Sequence, residues 1–134
     1  MPIVLDVSVA ASWHFPDESE PVADRALEMI LTEGAIVPAH WWFELRNTFL
    51  VGERRGRLTA VETGFALDLI DRLPIEYHPL SRSDDIFDLA RKHRLSFYDA
   101  VYLDLAKGTG AILATLDREI VVAAEKERVE LVLA

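Results

Sequence analysis

Ile3-Val4-Leu5-Asp6 is a run of three apolar residues stopped by an acid. An apolar run this short and unbroken suits a strand buried on both faces of a parallel sheet. The pattern recurs in Ala35-Ile36-Val37, closed by Pro38, and in Ala111 to Thr115, which runs into Leu116-Asp117, while Ile75-Glu76-Tyr77, before His78-Pro79, is a third short strand. Val129 to Leu133 reads as a fifth strand.

Helical patterns fill the gaps. Val7 to Trp13 is a short helix. Ser19 to Glu33 carries Val22, Ala26, Met29 and Ile30 at helical spacing, and Gly34 is its stop. His40 to Arg54 is aromatic-rich. Thr59 caps a helix running to about Leu73, with Glu62 at the capping-box position. Ser81 or Ser83 opens the next, whose buried stripe is Ile86, Leu89, Ala90 and His93. Ser96 opens another, with Tyr98, Val101, Tyr102 and Leu105 repeating, ended by Gly108 and Gly110. Asp117 opens the last, to about Lys126. Strands separated by helices imply right-handed crossovers. The expected fold is a three-layer α/β/α sandwich around a mostly parallel sheet of about five short strands, in one domain spanning 1–134.

Composition narrows the chemistry. The 134 residues contain no cysteine, which removes disulfides, thiolate zinc sites and cysteine nucleophiles. No stretch of about 18 apolar residues suggests a membrane span, and an acid follows the N-terminus too closely for a signal peptide. The expected setting is soluble and cytoplasmic. The net charge of −9 argues against a module that grips nucleic acid only by its backbone. It does not exclude a nuclease, because metal-binding carboxylates carry charge that an ion partly cancels. It also suits a basic protein partner.

Four acids fall where such sheets place their sites, beyond the carboxyl ends of the strands. Asp6 follows the first strand and Asp117 the fourth. Glu44 lies in the first turns of the helix after strand two, and Asp99 in the first turn of the helix opened by Ser96. Taken singly, each also reads as a helix-terminus residue: Asp6 and Asp117 as caps, Asp99 as the acid of a capping box. Taken together they would repel one another unless a cation held them ionised. An all-oxygen set selects a hard ion, Mg²⁺ or Mn²⁺, which polarises a phosphoryl oxygen and acidifies water. Phosphodiester hydrolysis best fits that equipment. A receiver-type phosphoacceptor needs a paired acid at the first strand and a late lysine. A phosphatase of the haloacid dehalogenase type needs a second Asp at position 8, which is Ser.

In order along the chain, Ile3 to Ala10, Val37-Pro38-Ala39 leading to Trp42-Phe43-Glu44 with Asn47, Leu95 to Ala106, and Leu113 to Asp117 resemble the PIN-domain family, and within it the VapC-type toxins. The resemblance implies a Mg²⁺- or Mn²⁺-dependent endoribonuclease. It implies Asp6 and Asp99 as direct metal ligands, Glu44 as the third acid, and Asp117 as a fourth acting through water. Ser8 and Thr115 match the small hydroxyl positions beside the acids. Asn47 shares a helix face with Glu44. The resemblance further implies a VapB-like antitoxin, an RNA substrate and a homodimer to which the Trp41–Leu50 segment contributes. The alternative from another class is a catalytically silent scaffold acting through its antitoxin.

The remaining features read as structural. Trp13, Trp41 and Trp42 suit packing better than base stacking, and none of the four histidines has metal-ligand spacing. The basic runs Arg54-Arg55-Gly56-Arg57 and Arg91-Lys92-His93-Arg94 read first as solvated helix ends and second as RNA contacts. Arg46 stands out as the neighbour of Glu44 and Asn47. Asp104 lies more than a turn past Asp99, outside the site.

Overall fold

The computed structural model describes residues 1–79 and 83–134. Its elements run β1 (Ile3–Leu5), α1 (Val7–Ser12), α2 (Pro21–Glu33), β2 (Ala35–Val37), α3 (Trp41–Arg54), α4 (Ala60–Asp71), β3 (Ile75–Tyr77), α5 (Asp85–His93), α6 (Phe97–Thr109), β4 (Leu113–Ala114) and α7 (Arg118–Lys126). The strands form one all-parallel sheet in the order β3-β2-β1-β4. In β1, Val4 pairs with Ile36 of β2 on one side and with Leu113 of β4 on the other.

Burial explains why such short strands hold. Every residue of β1, β2 and β4 is buried. Their side chains join those of α1, α2, α3 and α6 in one continuous apolar cluster. Helices α2 and α6 both pack on β1, α1 joins α2 to α3, and α5 and α7 flank α6. This is the three-layer α/β/α arrangement.

Local signals act as the sequence indicates. Thr59 Oγ1 accepts from the Glu62 N–H at 3.1 Å while the Glu62 carboxylate accepts from the Thr59 N–H at 2.9 Å, completing the capping box of α4. Gly34 ends α2 at φ +79°, where a Cβ would come within 3.2 Å of the Pro74 carbonyl oxygen. At α5, Ser83 Oγ accepts from the Asp85 N–H; Ser81 lies outside the described residues. Gly110, at φ +70°, ends α6, whereas Gly108 sits inside the helix rather than at its end.

The fifth strand is the main correction. Over 129–133 only Leu131 pairs, as a single parallel bridge to Leu113. Its flanking residues make the bonds: the Leu113 N–H donates to Glu130 O and the Val132 N–H to Leu113 O. A two-residue β4 offers no further ladder.

Candidate active site

The strand order places a topological switch beside β1. The chain leaves β1 for β2 and β3 on one side, then returns to β4 on the other. Crevices at the carboxyl ends of strands flanking such a switch are where open α/β sheets bind ligands. Asp6 and Thr115 occupy that crevice, each directly after its strand.

Asp6 stands at the N-cap position of α1 but makes no side-chain cap bond. Its Oδ2 accepts instead from Ser8 Oγ at 2.6 Å and Thr115 Oγ1 at 2.8 Å. Both hydroxyls also accept backbone N–H groups, Ser8 from Leu116 at 3.0 Å and Thr115 from Asp117 at 3.0 Å. Each hydroxyl has one proton, so the turn after β4 orients both donors toward Asp6. The Asp6 side chain is only 6% exposed. Burial pushes its pKa up to about 6; the two hydroxyls oppose this, and the charges of Glu44 and Asp99 add to it.

Glu44, in the first turn of α3, receives the Tyr102 hydroxyl at 2.5 Å on Oε1. His40 Nε2 lies 3.1 Å from the same oxygen but off the hydrogen-bond direction, and that buried nitrogen has no hydrogen-bond partner among the described residues. Tyr102 is fully buried, and burial first, then the charges of Asp6 and Glu44, holds its phenol protonated well above the usual range. Ser96 caps α6 by accepting from the Asp99 N–H at 3.1 Å. Burial raises the Asp99 pKa, with the charges of Asp117, Glu44 and Glu119 adding to it. Asp117 does cap its helix: Oδ1 accepts from the Glu119 and Ile120 N–H groups at 2.9 and 3.3 Å.

The four acids therefore share one edge and one electrostatic field. Among the described residues, however, no three acidic or imidazole side chains stand together at metal-ligand spacing. The donor set still fits a hard cation: it is all oxygen, mutually repulsive and partly desolvated. The bonds that fix Asp6 use Oδ2 and those that fix Asp117 use Oδ1, so each keeps a second oxygen outside them.

Other expectations divide. Asn47 is exposed on α3. Arg46 turns to Trp42, its guanidinium 3.7 Å above the ring and bonded to the Trp42 carbonyl. Trp13 donates to the Ala23 carbonyl, and Trp41 is in the core. From the basic runs, Arg57 pairs with Asp17 and Glu18, and Lys92 and His93 with Glu127. Tyr102 and His40, both set against Glu44, were not among the candidate residues expected from the sequence. The available signal was spacing: Tyr102 is three residues past Asp99, and His40 four before Glu44, each on a shared helix face.

Residues 3–126 match the family model described as PIN domain. The chain belongs to the PIN-domain family. Among its relatives is Ribonuclease VapC3 of Pyrobaculum aerophilum, 31% identical over 123 residues, covering 90% of this chain and 92% of that protein. This relative places the chain with the VapC-type members. The crystal structure of PAE2754 from Pyrobaculum aerophilum superposes with a TM-score of 0.71 over 92% of this chain and 84% of that one. At 20% identity it shows the shared fold. No helix among the described residues is long and apolar enough to cross a membrane.

Proposed function

We propose that the chain is a Mg²⁺- or Mn²⁺-dependent endoribonuclease, the toxin of a VapBC-type pair acting in the cytoplasm. The observation that carries this reading is Asp6, a buried carboxylate at the switch point that is not spent on capping and lies in the field of Glu44 and Asp99. Strongly perturbed acids in a crevice are marks of a functional site. The relative named a ribonuclease supplies the reaction class.

Asp6, Asp99, Glu44 and Asp117 would hold the ion. Once bound, it stabilises charge on the phosphoryl oxygens and lowers the pKa of a water. The chain's own groups do the positioning. Ser8 and Thr115 fix the Asp6 rotamer, and Tyr102 fixes that of Glu44. Asn47, on the Glu44 face of α3, contacts a carboxylate or an RNA phosphate. In this reading Asp117 acts through water.

The partners follow. A VapB-like antitoxin covers the acidic edge with a basic segment, which suits a chain of net charge −9. A homodimer covers exposed apolar side chains, Trp42, Phe43 and Leu50 on α3 and Val61, Phe65 and Leu69 on α4. The test is cleavage of RNA by purified, antitoxin-free protein with Mn²⁺ or Mg²⁺, against chelator and against Asp6→Asn and Asp99→Asn. Undiminished cutting by both variants would overturn the site assignment.

One observation favours a second reading, a catalytically silent scaffold. Glu44 and Asp117 already serve hydrogen bonds of their own, and no three ligands converge among the described residues. A wild type that cuts no RNA with either ion yet binds its antitoxin would establish it.

A further inference from the structure

Beyond the carboxyl ends of β2 and β3, beside the acids, lies an open cavity of about 410 Å³. Its walls include His40 and His78 from the turns after those strands, and Phe97, Tyr98, Val101 and Leu105 from α6. The volume falls in the range, roughly 300–1,000 Å³, that takes small molecules. Two contacts tie this cavity to the acidic edge. Tyr98 immediately precedes Asp99, and His40 packs its ring 5.4 Å from Tyr98 and 5.3 Å from Tyr102, whose hydroxyl holds Glu44.

We propose that this cavity holds one nucleobase of the RNA strand, stacked on Tyr98, next to the phosphate presented to the acids. The inference rests on the nuclease reading of that edge. Charge and shape select the occupant. Among the described residues the lining has no lysine or arginine and carries the Asp104 carboxylate, which disfavours a phosphate there. The lining is mainly apolar and supplies the aromatic rings of Phe97 and Tyr98 beside the imidazoles of His40 and His78. Tyr98 is 61% exposed, leaving its ring open to an incoming base. Single-stranded RNA presents splayed bases to aromatic side chains in this way. The acidic edge repels phosphate until a cation arrives, so a neutral base in an adjacent apolar slot anchors the strand without adding to that repulsion.

The probes are the four neutral ribonucleosides, titrated into the full chain in chelator and followed by NMR. The expected result is saturable shifts at Tyr98, Val101 and Leu105, largest for one base. Tyr98→Phe keeps the ring and binds within about twofold of wild type, while Tyr98→Ala loses roughly tenfold. Gly108→Phe tests the cavity itself. Gly108 also lines it, and a Cβ there meets nothing within 4 Å, so a side chain is accommodated at the cavity wall without displacing a neighbour. It is expected to abolish the shifts. Shifts absent from these residues, or undiminished in Gly108→Phe, overturn the proposal. Because neither metal nor cleavage is read, failure of the base site and failure of the nuclease reading are separable. Nucleoside binding by a protein that cuts no RNA would support the cavity assignment alone.

Discussion

At the residue scale, the same burial that makes Asp6 a candidate ligand makes it a destabilising group without a cation. Its pKa of about 6 means that a buried charge must form as pH rises to 7.5. Asp6→Asn removes that charge and keeps a carbonyl oxygen to accept from Ser8 and Thr115. In chelator at pH 7.5 the variant is expected to be more stable than wild type by roughly 1–3 kcal/mol, since each pKa unit is about 1.4 kcal/mol. Mn²⁺ is expected to raise the wild-type Tm and leave that of Asp6→Asn unmoved, and the variant is expected to lose RNA cleavage. Thermal melts with and without the ion check the first two outcomes. Tyr102 permits a subtler change. Tyr102→Phe keeps the ring packing and deletes the hydroxyl that donates to Glu44 and accepts from the Val7 backbone. Stability is expected to change by less than about 1.5 kcal/mol. Cleavage is expected to fall roughly 10–100-fold, as for groups that orient a metal ligand. Asp6 and Asp117 are legible in the sequence because they follow strands, Glu44 and Asp99 because they lie in the first turns of helices, and Ser8 and Thr115 because they match a family pattern. Tyr102 is not, because a tyrosine on an apolar stripe looks like core; its ring is core, and only its hydroxyl reaches the site.

At the scale of elements, the apolar runs and capping residues located the first four strands and the seven helices among the described residues. Alternation in Val129, Leu131 and Leu133 imitated a fifth strand, but β4 stops at Ala114 and only Leu131 bridges to it, at Leu113. Close approach was also invisible. Gly52 lies inside α3, where local propensity alone would prefer alanine by about 1 kcal/mol. In the fold its missing side chain leaves room for the Phe15 ring, and an added Cβ would stand 2.8 Å from Leu58 Cδ2 and closer still to Phe15. Phe15 is itself fixed by Phe49 and by the Arg57 guanidinium 4.0 Å over its ring. Gly52→Ala is therefore expected to destabilise by about 1–3 kcal/mol, overpacking outweighing the propensity gain. Urea unfolding with an unchanged m-value checks it.

At the scale of the whole molecule, two charge centres pull stability in opposite directions with pH. Glu127, just past α7, gathers Lys107 at 2.7 Å, Lys92 at 2.8 Å and His93 at 2.6 Å, with its own side chain only 5% exposed. Those partners, Lys107 first, hold its pKa down to about 2 from the ordinary 4.5. A depressed carboxylate contributes stability that is complete above about 4.5 and drains away as pH falls toward 2. Asp6 runs the other way. Its folded pKa is raised from 3.8 to about 6, so the unfolded chain ionises first and stability is lost as pH climbs through that window. The rise at Asp99 has the same sign. The windows overlap near pH 4. In chelator, the protein is therefore expected to be most stable near pH 4, less stable at pH 7.5, and less stable again toward pH 2. Each limb has its own control: Asp6→Asn flattens the decline above about pH 4, and Glu127→Gln flattens the loss below pH 4.5. Adding Mn²⁺ lifts the high-pH limb in wild type alone, because a cation at the acidic edge favours the ionised carboxylates. Urea midpoints measured across pH 3–8 for the three proteins decide it; a wild-type profile that rises steadily to pH 7.5 in chelator would mean that the acids at the sheet edge do not share one field.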